Sequence, residues 1–170
     1  MALKDEFKLL VAGPSGDGTP DFIEAGPPAE MIIPDTLELA WFWNVEDGLS
    51  LFGNMGSVPT GIKVAGPNGS TFGIVRHPAR SAGKLDVSEV LHEATDVDEH
   101  DATMHRTDTI DYEFIVSGKI DIVLPGDKRR TLKAGDLLVM AGVPHAWENH
   151  YDEDCTYIAI TVGPASEGAR

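Results

Sequence analysis

Cysteine is almost missing from this 170-residue chain: Cys155 is the one copy. No intrachain disulfide can form and no Cys-x-x-Cys pair exists for zinc or dithiol chemistry, a usage that suits a reducing cytosol. Basic residues are also scarce. Thirteen Lys and Arg stand against 28 Asp and Glu, a formal charge of −15. Such a field repels phosphate backbones and anionic membranes, so nucleic-acid and membrane-surface binding are not expected. No apolar run approaches the ~18 residues of a membrane span. The segment from Met1 to Lys8 has neither an apolar core nor a cleavage pattern, so a signal peptide is not expected and a cytoplasmic location is. Internal repeats, low-complexity tracts and a long amphipathic helical pattern are lacking too.

What is present describes one globular domain. Hydrophobic residues make up 42% and charged residues 24%, close to ordinary globular usage. Gly and Pro account for 29 of 170 residues, above the ~12% of average usage, which favours turn-rich, all-β architecture over a helical bundle. Turn formers crowd residues 12–30, so residues 1–35 read as an extended N-terminal arm and 36–170 as a domain of many short strands, a sandwich or barrel. The apolar run 36–45, with Trp41 and Trp43, reads as a strand packing in the core or at a subunit contact. Strands are also expected at 72–77, 85–91, 137–141 and 155–162. Tyr112, Phe114 and Val116 share one face, as do Ile120, Ile122 and Leu124, and Ser117-Gly118 between them suggests a hairpin. The acidic stretch within 89–101 reads as a solvated loop, a candidate lid over the barrel mouth. Cys155 reads as a small buried hydrophobe.

Two of the six histidines sit in informative contexts. His105 lies in Met104-His105-Arg106-Thr107-Asp108-Thr109-Ile110-Asp111-Tyr112, followed by an apolar strand and Gly118. His145 lies between Gly135-Asp136 and Asn149, in the run Gly142-Val143-Pro144-His145-Ala146-Trp147. Together these segments, 104–118 and 135–149, resemble the two motifs of the cupin superfamily, Gly-x5-His-x-His-x3,4-Glu-x6-Gly and Gly-x5-Pro-x-Gly-x2-His-x3-Asn. The run from His105 to Tyr112 is similar to that of a subgroup of small bacterial and fungal cupins. The resemblance implies a single double-stranded β-helix, or jelly-roll barrel, often assembled as a homodimer.

It also implies a site holding one divalent metal ion. The chain departs from the family pattern in two places: Thr107 stands at the second histidine of the first motif, and Asp111 stands for its glutamate. His105, Asp111 and His145 remain as metal ligands. Two imidazoles and one carboxylate suit Fe, with Zn or Mn also compatible. Thr107, Trp147 and Asn149 are candidate substrate contacts, because His105 and Thr107 share one strand face and His145, Trp147 and Asn149 another. Asp111 and Tyr112 are candidates for moving a proton, although both reach one cavity only if the strand bends. His77, His92, His100 and His150 are expected outside the ligand set.

The function implied is a metal-dependent small-molecule enzyme, foremost a lyase carrying out dehydration or decarboxylation of an oxo or hydroxy acid or an aromatic intermediate. An iron dioxygenase needs the same ligands, and a non-catalytic small-ligand-binding cupin needs only the pocket.

Overall fold

Alternating apolar and polar residues build two layers of short strands. The computed structural model describes residues 1–50, 53–90, 95–98 and 100–165. A helical turn, α1 (Leu3–Glu6), opens the chain. The strands are β1 (Val11–Pro14), β2 (Pro20–Ile23), β3 (Ala29–Ile33), β4 (Leu37–Val45), β5 (Ser70–His77), β6 (Thr95–Asp98), β7 (Asp101–Thr107), β8 (Ile110–Ser117), β9 (Lys119–Leu124), β10 (Lys128–Lys133), β11 (Leu137–Ala141), β12 (Ala146–Glu148) and β13 (Cys155–Val162).

One layer is a six-stranded sheet in the order β11-β8-β13-β5-β4-β3, antiparallel throughout. The other contains β10-β9-β12. The pair β6-β7 joins it through a single bridge between His105 and His145. The result is an all-β jelly roll, a sheet sandwich closed into a barrel. Ile115 and Ile120 lie almost fully buried in its core, beside Leu39, Val75 and Met140. Burial of each such side chain is worth about 1.5–3 kcal/mol. No helix among the described residues is long and apolar enough to cross a membrane.

The N-terminal residues pack on their own sheet. Leu3 and Phe7 cover Ala40, Phe42 and Ile74 on its outer face. The Leu3 amide donates to Glu38 at 2.7 Å, and Arg76 ties Glu6 and Glu38 together.

Several local expectations give way to the observed structure. Residues 85–91 do not form a strand where described. Asp86 accepts a hydrogen bond from the Ser88 amide and starts a 3-10 turn, Val87–Glu89, because a short side-chain acceptor competes with sheet pairing. The acidic stretch is not simply a loop, since β6 and the start of β7 pair within it. Asp98 and Asp101 accept from the amides of His100 and Thr103 at the turn. His92 and part of the proposed lid lie outside the described residues.

β8 and β9 are not a hairpin. They belong to different layers, and the chain crosses between them at Gly118. This residue has φ 71°, and a Cβ there would meet the Asp154 carbonyl oxygen at 2.1 Å. Both the torsion and the space require glycine.

The facing of β8 is the largest correction. Tyr112 and Phe114 point outward, with Tyr112 47% exposed, while Asp111, Glu113 and Ile115 point into the barrel. A polar inner face is tolerated because it lines a cavity rather than a dry core.

Candidate active site

The barrel encloses a cavity of about 100 Å³. Its walls are mainly apolar, with Leu39, Trp41, Val75 and Trp147 prominent, and its polar residues are His77, His105, Thr107, Asp111, Glu113, His145 and Tyr157, with Thr161 at the margin. The volume lies well below the ~300–1,000 Å³ of pockets for drug-sized ligands. It suits a small molecule.

β7 delivers His105, and the residue before β12 delivers His145. Their backbones exchange two hydrogen bonds, His105 N to His145 O at 2.9 Å and His145 N to His105 O at 2.8 Å. The ring centroids are 4.3 Å apart. His105 Nδ1 lies 3.0 Å from the Thr103 carbonyl and His145 Nδ1 lies 2.9 Å from that of Val143. A carbonyl only accepts, so each Nδ1 carries the proton and each Nε2 keeps a free lone pair. Burial pushes the His105 pKa down to about 4, reinforced by His145. Burial lowers His145 as well. Both rings are neutral near pH 7.

Two threonine hydroxyls lead to a carboxylate on the same cavity. The Thr107 and Thr109 hydroxyls are 2.8 Å apart, and Thr109 donates to Asp111 Oδ1 at 2.6 Å. With the Thr109 proton given to Asp111, Thr107 donates its own to Thr109, and it lies 3.5 Å from Asp111 Oδ2. Burial raises the Asp111 pKa, against the pull of those hydroxyls. Thr107 is therefore part of the hydrogen-bonded support of Asp111.

The imidazoles fit a divalent ion: ligating histidines characteristically give their second ring N–H to a carbonyl, and both do. Asp111 lines the same cavity, but among the described residues no three His, Cys, Asp or Glu side chains form a group close enough to hold an ion. Two of the three expected ligands, His105 and His145, lie side by side, and the carboxylate is engaged by threonines.

Trp147 forms a wall, stacked on Tyr157 at 4.9 Å and edge-on to His145. Asn149 does not reach the cavity. It is fully buried, donates to the carbonyls of His77 and Glu153, and accepts from the Tyr151 amide, so it holds the loop after β12. Tyr112 lies on the outer face of its sheet, which removes it as a proton carrier in this cavity. His100 is exposed on its turn. His150 pairs with Glu148 on the surface. Cys155 is buried and its thiol is pushed up to about 12, chiefly by burial, so it stays protonated.

Glu113, His77, Tyr157 and Trp41 are among the lining residues that escaped the sequence reading. Glu113 was findable, since it lies two residues from Asp111 and shares its strand face. His77, at the end of β5, is fully buried with its pKa lowered to about 3, mainly by burial; its ring stacks on Tyr157. Nothing local distinguishes His77, because its place depends on pairing with β13. Tyr157 and Trp41 carried only a core signal.

Residues 92–161 match the family model described as a cupin domain, Cupin_2. A phomopsin biosynthesis cluster protein, C', of Diaporthe leptostromiformis is 45% identical over 49 residues, covering 29% of this chain and 26% of that protein. A cupin-domain-containing oxidoreductase of Neurospora crassa is 35% identical over 49 residues, 29% of this chain and 25% of the relative. The matched segment thus spans about a quarter of these curated relatives. Among solved structures, the cupin domain of Schizosaccharomyces pombe Cnp3 aligns with a TM-score of 0.49 at 11% identity, covering 91% of this chain and 86% of that one.

Proposed function

We propose that this chain, a member of the cupin superfamily through its residues 92–161, is a small-molecule enzyme that works in the barrel cavity with a divalent ion held by His105 and His145. The observation that carries this reading is the orientation of the two rings. Each is locked through Nδ1, neutral, and left with an Nε2 lone pair beside an apolar cavity that also contains Asp111. A bound divalent ion would supply Lewis acidity toward a carbonyl or enolisable oxygen.

The chain's own groups do the rest. Asp111, with Thr109 fixing one oxygen and burial raising its pKa, is the group to take a proton from substrate and return it. Trp147, Trp41 and the apolar wall exclude water and hold the substrate body. Dehydration or decarboxylation of a small oxo or hydroxy acid, or of an aromatic intermediate, fits this division of labour. The relative from a biosynthesis cluster supports a place in small-molecule metabolism.

The oxidoreductase named among the relatives favours a second reading, an iron-dependent oxygenation on the same residues. Assays of the metal-loaded protein against small oxo, hydroxy and aromatic acids, followed by mass spectrometry and an oxygen electrode, separate the two. Turnover without oxygen uptake supports the lyase, and coupled uptake supports the oxygenase. Asp111→Asn is expected to lose about 10²-fold or more of either activity. Full activity in that variant or in His145→Ala contradicts the proposal.

A second copy of this chain is the proposed partner. On the outer face of the large sheet, Leu137, Phe114, Ile158 and Ile74 stand in one cross-strand row, and Val139, Tyr112, Ile160 and Phe72 in the next. The N-terminal residues cover the Ile74 end only. Leu137 and Val139 remain 74% and 62% exposed. An uncharged patch of this kind on a chain of net charge −15 fits a subunit contact.

A further inference from the structure

We propose that Glu113 is the ligand's polar anchor: its carboxyl accepts a hydrogen bond from a hydroxyl of a small, flat and otherwise apolar molecule. This names the ligand class for the cavity and rests on the reading of that cavity as the working site.

The polar groups of the wall are unevenly satisfied. Thr107, Thr109 and Asp111 satisfy one another. His105 and His145 each use a ring nitrogen on a backbone carbonyl. His77 Nε2 lies 3.4 Å from the Tyr157 hydroxyl. Glu113 differs. It is only 7% exposed, and its Oε2 is buried with no hydrogen-bond partner. No other cavity-lining residue among those described carries such an atom.

A buried carboxyl oxygen without a partner is costly, because folding strips its water and returns nothing. Packing does not explain why a glutamate sits there. Its strand neighbours across the register are Ala159 and Leu138, neither of which offers a side-chain donor. Glu113 is one of the residues that line the cavity, so a molecule held there is the source of partner proposed for it.

The chemistry of that partner follows. Ionised, the carboxyl only accepts; neutral, it also donates through its O–H. A ligand hydroxyl, which donates and accepts, matches it in either state. The surroundings set the rest. Trp147 stacked on Tyr157, with Trp41 nearby, offers flat apolar surface. The volume, about 100 Å³, is on the scale of a single six-membered ring; an apolar cavity of ~150 Å³ takes up benzene. One orphan acceptor in such a wall matches one hydroxyl on a phenol-sized body.

The test uses phenol and its methyl ether, anisole, as probes in ligand-observed NMR titrations with chelator present. Wild type, Glu113→Gln and Glu113→Leu are compared, with thermal unfolding confirming that each folds. Wild type should bind phenol about tenfold more tightly than anisole, the value of one net hydrogen bond. Glu113→Gln keeps an amide oxygen as acceptor and should keep most of that preference. Glu113→Leu should bind the two probes alike. A preference that survives in folded Glu113→Leu, equal binding of the probes by wild type, no binding of phenol, or tighter binding of benzylamine than of phenol each overturns the proposal. The readout needs neither metal nor turnover. A failure here therefore leaves the histidine-centred function standing, and loss of that function leaves this preference intact.

Discussion

His105 and His145 are joined backbone to backbone. Each amide donates to the other's carbonyl, at 2.9 and 2.8 Å, and this bridge sets the two rings 4.3 Å apart. The bridge is also what ties β6-β7 to the smaller sheet. One pair of residues thus closes the barrel wall and orients two imidazoles into the cavity. Fold and site share the same hydrogen bonds.

Trp41 and Gly73 show how little slack the wall has. A Cβ on Gly73 would lie 1.9 Å from Trp41 Cε3. The indole cannot retreat freely, since its N–H donates to the Lys63 carbonyl at 2.7 Å. Gly73→Ala should therefore destabilise the protein by about 1–3 kcal/mol through overpacking and weaken ligand uptake. Denaturant unfolding checks this. Wild-type stability in Gly73→Ala contradicts the placement of Trp41 in the wall.

The buried histidines predict an acid limb in stability. His77 at about 3, His105 at about 4 and the lowered His145 stay neutral in the fold when the unfolded chain protonates near 6.5. Between those values the unfolded state binds more protons, so stability falls as pH drops from about 6.5 toward 4. Glu113 and Asp111 act in the opposite sense. Burial raises both, so the folded state keeps protons that the unfolded state loses above about 4, and stability falls as pH rises toward their folded values. Across pH 4–8, the melting temperature of metal-free His77→Phe should fall less on acidification than that of wild type, and that of Glu113→Gln should fall less as pH rises. Profiles of both variants parallel to wild type contradict these assignments.

The exposed rows on the outer face predict association. Wild type should elute and scatter light at twice the chain mass. Leu137→Asp with Val139→Asp places two charges in the patch and should give a folded monomer. A monomeric wild type, or a dimer untouched by both charges, removes this face as the contact.

Much of this was legible in the chain. Turn density marked an all-β fold, and the residues around His105 and His145 marked the barrel and the two rings that meet. Legibility failed where burial has two meanings. Along β8, Tyr112 and Phe114 were read as sharing one face, and the structure turns that face outward. Alternation reports that two faces differ, and cannot say which one meets a cavity and which a partner. Asn149 shared a predicted face with Trp147, but the strand ends at Glu148 and the alternation ends with it. His77 is set by pairing with a strand some 80 residues away, which no local pattern reports. Thr107 was read as a departure from a ligand set, and the fold shows what it does instead: it supports Asp111.

The central claim is that His105 and His145 hold a divalent ion in the cavity. The direct measurement is elemental analysis of untagged protein purified without chelator and after anaerobic reconstitution, beside His105→Ala and His145→Ala. The account predicts close to one equivalent of iron, zinc or manganese per chain, lost from both variants while circular dichroism shows an intact fold. Trace metal only in the wild type after reconstitution with each ion, or full metal in either variant, contradicts it.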